Sequence, residues 1–143
     1  MHFVTGGAFN GKSKWITEYY HLKDTPHLWI SCHKHEHAPL RFDDHLIIIL
    51  EGIELMLKDL SAQSEISEAR KRWQRQLSRW MNWENENPRR KIILIGTDMN
   101  KGIVPMLAED RKWRDLTGWA YQDAVRAACR ADLIWYGISQ RLK

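Results

Sequence analysis

Apolar residues follow two patterns along this chain. The first is the short unbroken run: Phe3-Val4-Thr5, Leu28-Trp29-Ile30-Ser31-Cys32, Leu46-Ile47-Ile48-Ile49-Leu50, Ile92-Ile93-Leu94-Ile95 and Leu133-Ile134-Trp135-Tyr136. Runs rich in β-branched residues, without polar alternation, predict strands covered on both faces, as in a parallel sheet. The second pattern repeats every three or four positions. Trp15, Ile16, Tyr19, Tyr20 and Leu22 predict a helix over 12–22, broken by Asp24 and Pro26. A helix is predicted over 53–60. Another carries the stripe Ile66, Ala69, Trp73, Leu77 and Trp80, with Ser64, Ser67 or a neighbour as cap and an end at 85–88. The last is predicted over 107–131, weakened or divided at Gly118. Residues 33–45 and 96–105 read as loops, and 140–143 as a short final strand. Strands alternating with helices predict right-handed crossovers, hence an α/β domain with a mostly parallel sheet and helices on both faces.

Composition narrows the class. The 143 residues are 43% hydrophobic and 28% charged, which suits one globular domain over 1–143 and excludes a disordered or fibrous chain. The longest apolar run, 46–50, is far short of the ~20 residues that span a bilayer, so no membrane span is expected. The first residues lack the basic and apolar regions of a signal peptide. The two cysteines, Cys32 and Cys129, are too few for a disulfide framework. Together these features point to a cytoplasmic protein. A net charge of +4 is compatible with a phosphate-bearing ligand.

The residues that carry chemistry stand near the start. Gly6-Gly7-Ala8-Phe9-Asn10-Gly11-Lys12-Ser13 matches G-x-x-x-x-G-K-[ST], and it lies between a predicted strand and a predicted helix. Glycines let the backbone wrap so that successive N–H groups face phosphate oxygens, and the helix adds the positive end of its dipole. Lys12 is expected on the β- and γ-phosphates of ATP or GTP, and Ser13 on Mg²⁺. Such a site needs an acid at the end of a neighbouring strand. Glu51, directly after 46–50, is expected to help hold Mg²⁺ or to take a proton from a substrate hydroxyl; a plain helix-capping role is the alternative. Asp98 is a second acid expected at the same sheet edge, and the second candidate catalytic base after Glu51.

Three segments resemble the bifunctional adenosylcobinamide kinase/adenosylcobinamide-phosphate guanylyltransferase family. Val4-Thr5-Gly6-Gly7-Ala8 through Gly11-Lys12-Ser13-Lys14 is similar to the family's V-T-G-G-A-R-S-G-K-S-R. Leu50-Glu51 with the following apolar helix resembles its L-L-E-C segment. Gly102-Ile103-Val104-Pro105, then Arg114-Asp115-Leu116 with Gly118, Gln122, Gly137-Ile138 and Leu142-Lys143, resembles its G-I-V-P, R-D-L-x-G and C-terminal blocks in order and spacing. The resemblance implies a P-loop NTPase fold of RecA-like type and a homo-oligomer. It also implies phosphorylation of the aminopropanol hydroxyl of adenosylcobinamide, a small-molecule substrate, followed by GMP transfer through a guanylylated histidine. Arg111 and Arg114, after the G-I-V-P loop, are candidates to neutralise the transferring phosphate; Arg114 could equally pair with Asp115. The sequence departs from the family in its middle. The helical block that bears the guanylylated histidine is absent, because only 13 residues, 33–45, fill that gap. The kinase reaction is therefore expected and the guanylyl transfer lacks its histidine block. Phe9-Asn10 also replaces the arginine and serine of the family's loop.

Two other features invite chemistry. If 33–37 were a strand, His33, His35 and His37 would share one face and could converge on a metal; a polar loop, or a contact from one of them to base or substrate, is the alternative. Arg70, Lys71, Arg72, Arg75 and Arg79 form a basic run. Without interleaved aromatics it reads as a solvated helix face or subunit contact rather than a nucleic-acid surface. The rival to an enzyme is a nucleotide-binding regulatory or assembly module on the same fold without kinase turnover.

Overall fold

The structure is a computed structural model that describes residues 1–34, 42, 45–99 and 105–143. Among them, the strands are β1 (His2–Gly6), β2 (Leu28–Ser31), β3 (Ile47–Glu51), β4 (Lys91–Thr97), β5 (Arg130–Trp135) and β6 (Ile138–Arg141). The helices are α1 (Lys12–Tyr19), α2 (Ile53–Gln63), α3 (Ile66–Asn85) and α4 (Ala108–Ala127). One sheet runs in the order β2-β3-β4-β1-β5-β6, parallel throughout except for β6, which returns antiparallel to β5.

The unbroken apolar runs are explained by what lies above and below them. Phe3, Ile48, Leu50, Ile92 and Leu94 face a core shared with α2, α3 and α4. The alternate residues, Val4, Ile49, Ile93 and Ile95, face a smaller core closed by Ile16 and Leu22 around α1. With both faces dry, the positions of a central strand are predominantly apolar. The α3 stripe is as the spacing predicts. Trp73 is fully buried, packs edge to face on Trp80 with centroids 5.8 Å apart, and donates from Nε1 to the Ala120 carbonyl at 3.0 Å. The N-cap of α3 is Glu65, without a side-chain cap; Ser64 Oγ instead donates back to the Leu60 carbonyl.

Helix ends differ from the periodicity. Helix α1 stops three residues early, because His21 turns left-handed (φ 50°) and the Leu22 N–H closes on the Thr17 carbonyl at 2.9 Å. That closure turns Leu22 back into the core. Gly118 does not divide α4. Its cost, about 1 kcal/mol in a helix interior, is offset by Leu116, Thr117, Ala120 and Tyr121, all buried around it. The same helix ends at Ala127, and Ala131 belongs to β5.

At the end of β1 away from the phosphate loop lies a buried polar chain. The Tyr20 hydroxyl donates to His2 Nδ1 at 2.8 Å, and His2 Nε2 donates to Asp132 at 2.7 Å. Arg130 clasps the same carboxylate. Burial drives the His2 pKa down to about 4, against the partial compensation of Asp132. His2 is therefore neutral in the folded protein, while the unfolded chain protonates it near its ordinary 6.5. The unfolded state then binds more protons between those values, so stability is full above pH 6.5 and is lost as pH falls toward 4. The urea midpoint should drop over that window, by up to about 3 kcal/mol in unfolding free energy. Substituting His2→Gln should flatten the dependence; an unchanged slope in the variant would remove His2 as its source.

Candidate active site

The phosphate loop joins β1 to α1 over the middle of the sheet, where β1 lies between β4 and β5. Gly6 has φ +150°, and a Cβ there would lie 2.2 Å from the Ile134 carbonyl oxygen of β5. Only glycine allows the loop to leave the strand so close to its neighbour. Phe9 at the tip is fully exposed and left-handed (φ 58°). The loop opens on a cavity of about 420 Å³, lined by Ala8, Phe9, Asn10, Gly11, Lys12, Ser13 and Lys14 on one side and by His33, Glu51 and Thr97 on the other.

The lysine lies deep in this cavity rather than on the surface. Lys12 Nζ donates to the carbonyls of Gly6 (3.2 Å) and Gly7 (2.9 Å). Burial lowers its pKa, and the nearby charges of Glu54 and Glu51 pull it back. Ser13 Oγ donates directly to Glu51 Oε1. Glu51 Oε2 accepts from Trp29 Nε1 at 3.0 Å, and Ser31 supplies a further hydrogen bond. Burial would raise the Glu51 pKa, but the donors Ser13, Trp29 and Ser31 outweigh it and hold it below the ordinary carboxylate value. Glu51 is thus kept anionic beside a hydroxyl. This pair of hard oxygen donors next to an ammonium matches what Mg²⁺ and a polyphosphate require.

The candidates do not all meet. Asp98 lies at the same sheet edge, and its N–H donates to the Gly6 carbonyl at 3.0 Å. Its side chain, however, borders a second cavity of about 520 Å³ with Thr5, Tyr121, Gln122 and Arg126, against α4. Neither Arg111 nor Arg114 lines the phosphate-loop cavity. Arg111 caps the Pro105 (3.0 Å) and Met106 (2.6 Å) carbonyls, and Arg114 pairs with Asp115 at 2.8 Å. Within the basic run, Arg70 holds Asp123 of α4 through two bonds of 2.8 and 2.9 Å, and Arg75 pairs with Glu68. His33 lies in a 3₁₀ turn, Cys32–Lys34, not in a strand, so the alternation that would converge three imidazoles does not start there. Among the described residues no three His, Cys, Asp or Glu side chains are arranged to hold a metal. His35, His37 and Gly102-Ile103-Val104 lie outside the described residues.

Glu54 is the functional candidate that the sequence reading passes over. It is buried in the first turn of α2, accepts from the Thr97 N–H at 3.0 Å and the Tyr121 hydroxyl at 3.3 Å, and faces His33 Nε2 at 3.8 Å. Burial, then Glu54, pushes the Tyr121 pKa well up, so that phenol stays a donor. The signal was a carboxylate on the buried stripe of an apolar helix, alongside Ile53, Leu57 and Ser61.

Residues 20–142 match the family model described as cobinamide kinase / cobinamide phosphate guanyltransferase. The chain belongs to this family. The family is one of enzymes of cobalamin biosynthesis that act on a nucleotide and a small molecule, on a P-loop NTPase fold. The match begins downstream of the phosphate loop, whose assignment rests on its own residues and geometry. No curated protein matches the chain by sequence. Among the described residues no helix is long and apolar enough to cross a membrane.

Proposed function

We propose that this member of the cobinamide kinase / cobinamide phosphate guanyltransferase family acts as a kinase, moving the γ-phosphoryl group of ATP or GTP to the hydroxyl of a cobinamide-type acceptor. The observation that carries this reading is Ser13 bonded to an anionic Glu51 in the cavity that holds Lys12. Lys12 and the loop amides bind the phosphates and keep the β–γ bridge in line. Ser13 and Glu51 would hold Mg²⁺, which when bound would supply positive charge to offset the negative charge of the phosphates. The acceptor oxygen bonds to the γ-phosphorus as the bond to the bridging oxygen breaks, and a nucleoside diphosphate leaves. A carboxylate whose pKa is held low is a poor proton acceptor, so Glu51 serves the metal rather than as base. His33 lines the cavity wall against Glu54, and in this reading it receives the hydroxyl proton.

The guanylyl transfer is not part of the proposal. It needs a histidine in line with the α-phosphate. His33 stands on the Glu51 side of β1, where the γ-phosphate belongs. Incubation with Mg²⁺, adenosylcobinamide and nucleotide labelled at the γ-phosphate should yield a phosphorylated acceptor. GTP labelled at the α-phosphate should leave no acid-labile GMP on the protein by mass spectrometry. No acceptor-dependent transfer overturns the kinase reading; a GMP adduct on a histidine overturns the loss of the second activity.

A further inference from the structure

The hairpin beside the phosphate loop is built against its own turn. Trp135 pairs with Ile138, which leaves Tyr136 and Gly137 as a two-residue connection between antiparallel strands. Their φ values are 49° and 79°, both left-handed, as a type I′ turn demands. Such turns favour Asn or Asp followed by Gly; the glycine is here, but a bulky tyrosine occupies the first position. The residue is 78% exposed and so receives little packing in return for the strain. Trp135 stands edge-on to it, with centroids 5.3 Å apart and planes at 80°.

The turn is tied to the phosphate loop. The Gly137 N–H donates to the Asn10 carbonyl at 2.9 Å, and a Cβ on Gly11 would lie 3.5 Å from Gly137 Cα. Across the sheet, Glu51 of β3 and the β5–β6 turn lie on opposite sides of β1. A triphosphate whose γ-end meets Ser13 and Glu51 leads its nucleoside away from them, toward that turn.

We propose that Tyr136, backed by Trp135, is the stacking platform for the base of the bound nucleotide. This rests on the nucleotide reading of the loop. Stacking on a ring face uses no base-edge hydrogen bonds, so adenine and guanine are accepted alike. A strained exposed aromatic beside a ligand site is the kind of outlier that binding explains and folding does not.

The substitution Tyr136→Asn separates the two. Asparagine suits the left-handed position, so the thermal midpoint should hold or rise, whereas affinity for Mg-ATP and Mg-GTP by calorimetry should fall about tenfold for both. Tyr136→Phe should bind both as the natural chain does. Inorganic tripolyphosphate, which has no base, should bind all three proteins equally. Unchanged ATP affinity in the Asn variant, with tripolyphosphate still bound, overturns the platform and leaves the phosphate loop standing. If the natural chain binds neither tripolyphosphate nor ATP, the loop reading falls and the platform with it.

Discussion

Replacing Lys12 by alanine should lower phosphoryl transfer by at least about a hundredfold, since one preorganised charged donor aimed at transferring charge is worth that much or more. The fold should survive. The ammonium leaves behind the carbonyls of Gly6 and Gly7, but these face a cavity into which water can move, so the cost to stability should be about 1 kcal/mol or less. Steady-state turnover with Mg-ATP and the acceptor, together with a thermal melt, checks both halves. A variant that melts normally and turns over at the natural rate would remove this loop from the chemistry.

Changing Glu51 to glutamine should reduce kcat by about a hundredfold, through the same loss of preorganised charge, while nucleotide affinity changes little. The amide keeps the shape but loses the charge paired with Ser13 and Mg²⁺. It also brings an N–H₂ to a site where Ser13, Trp29 and Ser31 all donate. One of those donors is left unmet, which should cost about 1 kcal/mol of stability. The distinguishing measurement is Mg²⁺ dependence: the concentration for half-maximal rate should rise in the variant. A variant that loses nucleotide binding and rate together, with unaltered Mg²⁺ dependence, would make Glu51 a packing residue instead.

The site was partly legible before any fold was known. G-x-x-x-x-G-K-S is a local device: its glycines, lysine and serine all lie in one loop, so spacing alone points to the chemistry proposed for it. Glu51 was legible because parallel strands present their C-terminal ends to ligands, and it followed the clearest apolar run. Glu54 was not, because its partners Thr97, Tyr121 and His33 come from three other parts of the chain. Arg114 was ambiguous for the same reason: an arginine next to an aspartate reads alike in a site and in a surface pair.

The sequence by itself determined the class of fold and the phosphate loop. Unbroken β-branched runs are stable only when covered on both faces, and helices of matching period supply the cover. Its helix limits were less secure, since α1 ends on a left-handed histidine and α4 runs through a glycine because packing around it outweighs propensity. Only the tertiary structure decided which acids face the loop. Strand order puts β3 on one side of β1 and β5 on the other, so Glu51 meets Ser13, Asp98 turns toward α4, and Gly137 of the β5–β6 turn arrives beside Asn10. Those neighbours are up to more than a hundred residues apart in the chain. Nothing in local propensity encodes such contacts; they follow from burying two apolar faces of one twisted sheet at once.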